Sequence, residues 1–201
     1  MRRKPAFSGG MKPLARVGRH FVLAAITALA FVLAACGDDS GGGAGKAPDY
    51  AKALAGAPKP LAQLYDQANQ LLPGGTDAFD RQLAELRGYP VVVNKWASWC
   101  GPCREELPWF QRLSARLGKR IAFFGVDSND STAAANDFLQ EFPVPYPSFS
   151  DPGEDIADAM EATIGFPATA FYDSNGELQH VQQGQYANLD ALAADIERYA
   201  Q

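Results

Sequence analysis

Residues 94–108 read NKWASWCGPCREELP. Cys100 and Cys103 are separated by two residues, a spacing that suits half of a metal site, a structural cross-link, or a dithiol that exchanges electrons. A structural zinc site takes four ligands, usually two such pairs. The chain has three cysteines and two histidines, with Cys36 and His20 near its start and His180 inside a strand-like run. No metal is expected. As a staple the pair also does little, because a disulfide across two residues closes a tiny loop and removes little entropy from the unfolded chain. A chain of 201 residues has room for a real core without it.

The redox reading fits the local pattern. Val91–Val93 opens a short apolar run ending near Ala97, and a helical pattern follows the cysteines. Cys100 therefore stands at a helix N-terminus, where free N–H groups and the macrodipole lower a thiol pKa from about 8.5 into a reactive range. Cys103, one turn deeper, is placed to resolve a mixed disulfide formed at Cys100. Pro102 in the first turn loses nothing by lacking an N–H.

The elements that must hold this pair alternate between strand and helix. Spacing of Leu61, Leu64, Tyr65, Ala68, Leu71 and Leu72 predicts a helix over 59–72. Phe79 to Leu86 is ambiguous, with a short strand before a turn at Arg87-Gly88 as one reading. Leu107, Phe110, Leu113 and Leu117 line one helix face, with Pro108 expected to kink it and Gly118 to stop it. Ile121–Val126 reads as a second buried strand. Asp130 or Ser131 caps a helix with Phe138 and Leu139 inward. FPVPYPSF is a non-helical connection, and Asp155–Thr163 a short helix. Asp173-Ser174-Asn175-Gly176 turns a hairpin between 168–172 and 178–183, and Asn188 caps the last helix. The expected fold class is α/β with a mixed central sheet of four or five strands flanked by helices. Trp96 is assigned to the core, and Lys95 receives no role.

On these residues a resemblance can be stated. Trp99-Cys100-Gly101-Pro102-Cys103 after a strand and before a helix resembles the active site of the thioredoxin superfamily, and Gly165-Phe166-Pro167-Ala168-Thr169 resembles its cis-proline loop. The VDSND segment, the proline-rich stretch and the DSNGEL hairpin make residues 76–201 similar to the TlpA/ResA-like thiol-disulfide oxidoreductases. The resemblance implies a thioredoxin-like fold with a helical insertion, about 127–165, before the cis-proline strand. It implies a redox disulfide between Cys100 and Cys103, with Trp99, Gly101, Pro102, Phe166 and Pro167 facing substrate. Thioredoxin itself carries a buried aspartate six residues before the first cysteine; here that position is Asn94. The TlpA/ResA-like branch carries a glutamate three after the second cysteine; here it is Glu106, on the same helix face as Cys103, expected to manage its proton. Glu105 is read as an exposed first-turn acid.

The implied activity is reduction of protein disulfides, with apocytochrome c thiols as the substrate the family suggests and no cofactor beyond the two sulfurs. An oxidase that installs disulfides is the rival. A redox-inert binding module or copper chaperone lacks its usual wider cysteine spacing and added histidine, and no cysteine sits in a threonine-containing peroxidatic loop. Expected partners are thiol- or disulfide-bearing exported proteins and a membrane thiol electron donor or acceptor.

The N-terminus supplies an address. Residues 1–20 hold six Lys and Arg and no acid, and 21–35, FVLAAITALAFVLAA, contain one polar residue. That apolar run is shorter than the roughly 20 residues of a membrane span and suits a signal peptide. Its end, Leu33-Ala34-Ala35-Cys36, resembles a bacterial lipobox, which implies lipidation of Cys36 and an extracytoplasmic, membrane-anchored lipoprotein. Arg2-Arg3 lacks the apolar residues of a twin-arginine signal, and Met11 is an alternative start. The expected organisation is a signal peptide at 1–35, a flexible Gly/Ala/Asp-rich linker at 36–58, a helix at 59–75 and the main domain at 76–201. Net charge is −5 even with the basic leader, so the body is acidic and no nucleic-acid partner is expected.

Overall fold

The computed structural model describes residues 47–201. The signal peptide expected at 1–35, Cys36 and the expected linker up to residue 46 lie outside the described residues.

The centre of the fold is β2 (Val91–Trp96), buried at every position. An apolar run buried on both faces is what a central strand of a covered sheet requires. On one side β2 pairs in parallel with β3 (Ala122–Ser128), then β4 (Ser148–Asp151), then the two-residue β1 (Leu71–Leu72). On the other side β5 (Ala168–Tyr172) and β6 (Leu178–Gln183) are antiparallel. The sheet therefore has six strands in the order β1-β4-β3-β2-β5-β6, not four or five.

Both extra strands hide in short or proline-rich sequence. The helix expected over 59–72 is shorter: α2 spans Lys59–Tyr65. Asn69 then adopts φ 61°; its Nδ2 donates to the Leu139 carbonyl and its Oδ1 accepts the Val144 N–H. These bonds turn Leu71 and Leu72 into the sheet edge. Within FPVPYPSF, the prolines stop at Pro147, and Ser148 and Phe149 pair with β1 and β3.

The short strand considered at Phe79–Leu86 is instead α3 (Gly75–Glu85). Phe79 and Gln82 within it and Leu86 at its C-cap are buried, a helical period of three and four. Phe79 anchors an edge-to-face cluster with Phe124, Phe149 and Tyr172 at 5.6, 6.0 and 6.4 Å between ring centroids. Part of the expected linker is also ordered. α1 (Tyr50–Leu54) is capped by Asp49, and the Tyr50 hydroxyl donates to the Pro143 carbonyl at 2.9 Å.

α4 (Gly101–Leu117) runs through Pro108 as one helix. α5 (Thr132–Glu141) and α7 (Leu189–Tyr199) begin at the side-chain caps of Ser131 and Asn188. α6 (Asp155–Ala159) ends earlier than expected, with Glu161 at φ 59°. α4 packs against α7 and α1, and α3 packs against α6 and β4.

Two glycines are needed for close approach. A Cβ at Gly125 would lie 2.3 Å from Ser148 Oγ and 2.7 Å from Trp96 Nε1, so its absence lets Trp96 donate to Ser148 at 3.1 Å. Gly118 ends α4 at φ −62°, not left-handed; its missing Cβ leaves room for Leu54 and the Tyr65 hydroxyl.

Candidate functional site

Cys100 is the N-cap of α4, and its sulfur accepts the Cys103 N–H at 3.1 Å. The fold thus sets this sulfur at the N-terminus of a 17-residue helix, with the Cys103 N–H donating to it. Cys100 and Cys103 form a disulfide with Cα atoms 5.3 Å apart. Both are nearly buried, at 3% and 2% exposure, while Gly101 and Pro102 between them are exposed.

The loop before Cys100 is clamped from the β3–α5 connection. Asp130 Oδ2 accepts the Ser98 N–H, Arg104 donates to the Ser98 carbonyl at 3.1 Å, and Trp99 Nε1 donates to the Asn129 carbonyl at 3.0 Å. Arg104 also reaches Glu141 at 2.7 Å and lies over the Phe138 ring at 4.9 Å. Trp99 is 58% exposed despite its size. Its ring meets Phe166 edge-on at 4.9 Å. The Phe166–Pro167 peptide is cis, and the Pro167 carbonyl accepts the Gly184 N–H at 2.9 Å. Phe166, far from Trp99 and the cysteines in sequence, thus lies with them at one end of the sheet.

Glu106 is buried at 1% exposure on the face of α4 that carries Cys103. Its Oε1 accepts the backbone N–H of Tyr186; its Oε2 has no hydrogen-bond partner among the described residues. Burial pushes its carboxyl up to about 7, against the opposing pull of the Tyr186 N–H. Such a group changes protonation near neutrality, as a proton handler must. Burial is complete, more than the partial burial expected from sequence. Glu105, by contrast, is exposed and accepts from Gln185. Asn94 is buried opposite Gly125 and Thr169, with its Nδ2 unpartnered among the described residues.

Sequence reasoning missed three groups here. Lys95 is buried at 1%, yet its ammonium donates to Glu154 at 2.8 Å and to the Ala162 carbonyl at 2.9 Å, and lies 4.1 Å from the Phe166 ring centroid. The available signal was a lysine inside an otherwise apolar strand. Asp127, opposite Trp96 on β3, is buried and pushed up to about 8, first by burial, then by Asp130 and Asp151 nearby. The Tyr186 N–H leaves no sequence signal, since any residue can offer one. His180 stacks on Tyr199 at 4.2 Å as a half-exposed strand residue. Trp96 is in the core, stacked on Phe138 at 4.8 Å.

This geometry agrees with known proteins. The chain is 32% identical over 113 residues to the thiol-disulfide oxidoreductase ResA of Oceanobacillus iheyensis, covering 55% of this chain and 57% of that one. It is 37% identical over 122 residues to a thiol:disulfide interchange protein DsbE homolog of Paracoccus denitrificans, covering 59% and 63%. The matches thus span less than two thirds of either relative. Among solved structures, dsbF of MTB, described in mixed oxidized and reduced forms, aligns with a TM-score of 0.52 at 28% identity, covering 56% of this chain and 82% of that one. The fold is thioredoxin-like. The model of the Redoxin family matches residues 44–196, three quarters of the sequence, and the chain belongs to that family.

Proposed function

We propose that this protein is an extracytoplasmic thiol-disulfide oxidoreductase that reduces disulfides in exported proteins. The observation that carries this reading is the Cys100–Cys103 disulfide at the start of α4 with buried Glu106 three residues beyond it. The names of the ResA and DsbE relatives support it.

In the reducing direction, the Cys100 thiolate attacks one sulfur of the substrate disulfide. That bond breaks, one substrate sulfur leaves as a thiolate, and a mixed disulfide forms. The Cys103 thiol then gives its proton to the Glu106 carboxylate and attacks the Cys100 sulfur. The second substrate sulfur leaves, and the Cys100–Cys103 disulfide closes. Two electrons pass from the dithiol to the substrate, and a membrane thiol donor restores the dithiol. In this reading Trp99, Gly101, Pro102, Phe166 and Pro167 face an extended polypeptide substrate, a role supported by the contact of Trp99, next to Cys100, with Phe166. Lipid on Cys36 would hold the domain at the membrane, and apocytochrome c thiols are one substrate class for such a site.

Trapping tests this reading. Cys103→Ser is expected to accumulate mixed disulfides with exported proteins, and Cys100→Ser to lose insulin-disulfide reduction. Absence of trapped species, or full activity in Cys100→Ser, would overturn it. A reduction potential near −270 mV, about that of thioredoxin, supports reduction; one near −120 mV, about that of DsbA, would make the protein an oxidant instead.

A further inference from the structure

We propose that Lys95 is a positioning residue that holds the Phe166 wall of the site in place for a polypeptide substrate. The inference rests on the oxidoreductase reading and adds to it a residue that touches neither sulfur.

Three observations converge on one atom. The Lys95 ammonium donates to Glu154 Oε2 at 2.8 Å and to the Ala162 carbonyl at 2.9 Å, and faces the Phe166 ring at 4.1 Å. All three partners belong to one segment. Glu154 stands at the start of α6 in a left-handed conformation, φ 62°. Ala162 lies beyond its end, and Phe166 directly precedes Pro167. One buried cation therefore ties both ends of α6 and the loop after it to the strand that leads into the cysteines. Gln183 on β6 fastens the same segment from another side: it accepts the Ile164 N–H at 3.3 Å and donates to the Glu161 carbonyl at 2.6 Å.

Packing alone does not call for a lysine here. Replacing a buried ion pair by apolar side chains of similar volume is often neutral or stabilising. A methionine would fill the space but could bond neither the carboxylate nor the carbonyl. What the ammonium adds is direction: it fixes where the segment lies and which way the Phe166 face points. Phe166 in turn meets Trp99, which is 58% exposed beside Cys100. Ile164, 80% exposed, continues the apolar rim on the same segment. Released from Lys95, this rim would lose its fixed shape while the sulfurs and the start of α4 kept theirs.

The test uses Lys95→Met and Glu154→Gln in the full chain. Both are expected to raise KM for a disulfide-bonded polypeptide, by about tenfold in Lys95→Met and by less in Glu154→Gln, which keeps the carbonyl and ring contacts. The reduction potential, set at the sulfurs, should stay at its wild-type value. The Phe166 ring resonances and Trp99 fluorescence should shift in both variants. A folded Lys95→Met with wild-type KM would overturn the proposal. If Lys95→Met does not fold, Glu154→Gln at the half-exposed partner decides, and a wild-type KM there overturns it. A wild-type protein without dithiol activity would sink the oxidoreductase reading instead; unshifted Phe166 and Trp99 signals in Glu154→Gln would then sink the positioning role separately.

Discussion

The backbone N–H of Tyr186 donates to Glu106, a buried acid 80 residues earlier in the chain. One N–H partly stabilises the carboxylate, burial outweighs it, and the carboxyl titrates at about 7. A residue near the C-terminal helix thus helps set the acidity of one group on the same helix as Cys103.

Proton transfer through Glu106 has a direction in pH. In the proposed mechanism resolution by Cys103 needs the carboxylate, so its rate should rise through about pH 7 and level off above it. Glu106→Gln should lose that rise and slow resolution by about 100-fold at pH 8. Stopped-flow measurement of mixed-disulfide resolution across pH 5–9 checks this; a rise that persists in Glu106→Gln would refute the assignment.

Asp127 makes a prediction for stability. Its carboxyl is raised from 3.8 to about 8 in the folded state, so between those values the folded protein holds a proton that the unfolded chain releases. The stability from this proton is complete below about pH 4 and lost as pH rises through about 8. Asp127→Asn should flatten that slope, gaining about 1 kcal/mol or more on the wild type between pH 5 and 9. Urea midpoints at a series of pH values measure it, and parallel curves for the two proteins would refute it.

Gly125 should not tolerate a methyl group. Alanine there would collide with Ser148 Oγ and Trp96 Nε1 and break the bond between them. Gly125→Ala should cost about 1–3 kcal/mol, read from chemical denaturation. An unchanged midpoint would show that β4 can move aside.

Anchoring is tested at Cys36. The wild-type chain should incorporate labelled fatty acid and sediment with membranes, and Cys36→Ser should do neither. Equal membrane association of the two would rule out the lipid anchor.

Much of this was legible in the sequence because period and caps agree. Val91–Val93 and Ile121–Val126 are apolar runs too short for helices and became central strands. Ser131 and Asn188 capped the helices they were expected to cap. Gly176 at φ 78° turns the hairpin. The errors came where local pattern was weak and distant contacts decided. Leu71 and Leu72 continue a helical period, but Asn69 is held by Leu139 and Val144. Ser148 and Phe149 sit behind prolines and gain strand geometry only from β1 and β3. At the site, the cysteines were visible because their types and spacing carry chemistry, and Glu106 because the family resemblance pointed to its position. Lys95 was visible but had no reading until Glu154, Ala162 and Phe166 came to it. Asp127 was passed over because a lone acid near a strand end looks solvated.

The disulfide joins residues three apart, whereas Lys95 finds its bonds 59 and 67 residues away and Glu106 finds its own 80 away. During folding, local contacts form before those that must close long loops. A newly made chain can therefore carry the sulfur–sulfur bond while Glu106 and Lys95 still lack their distant partners. In the proposed mechanism bond formation alone does not make the chain a working reagent; competence also needs β5, β6 and the loop bearing Tyr186 to dock.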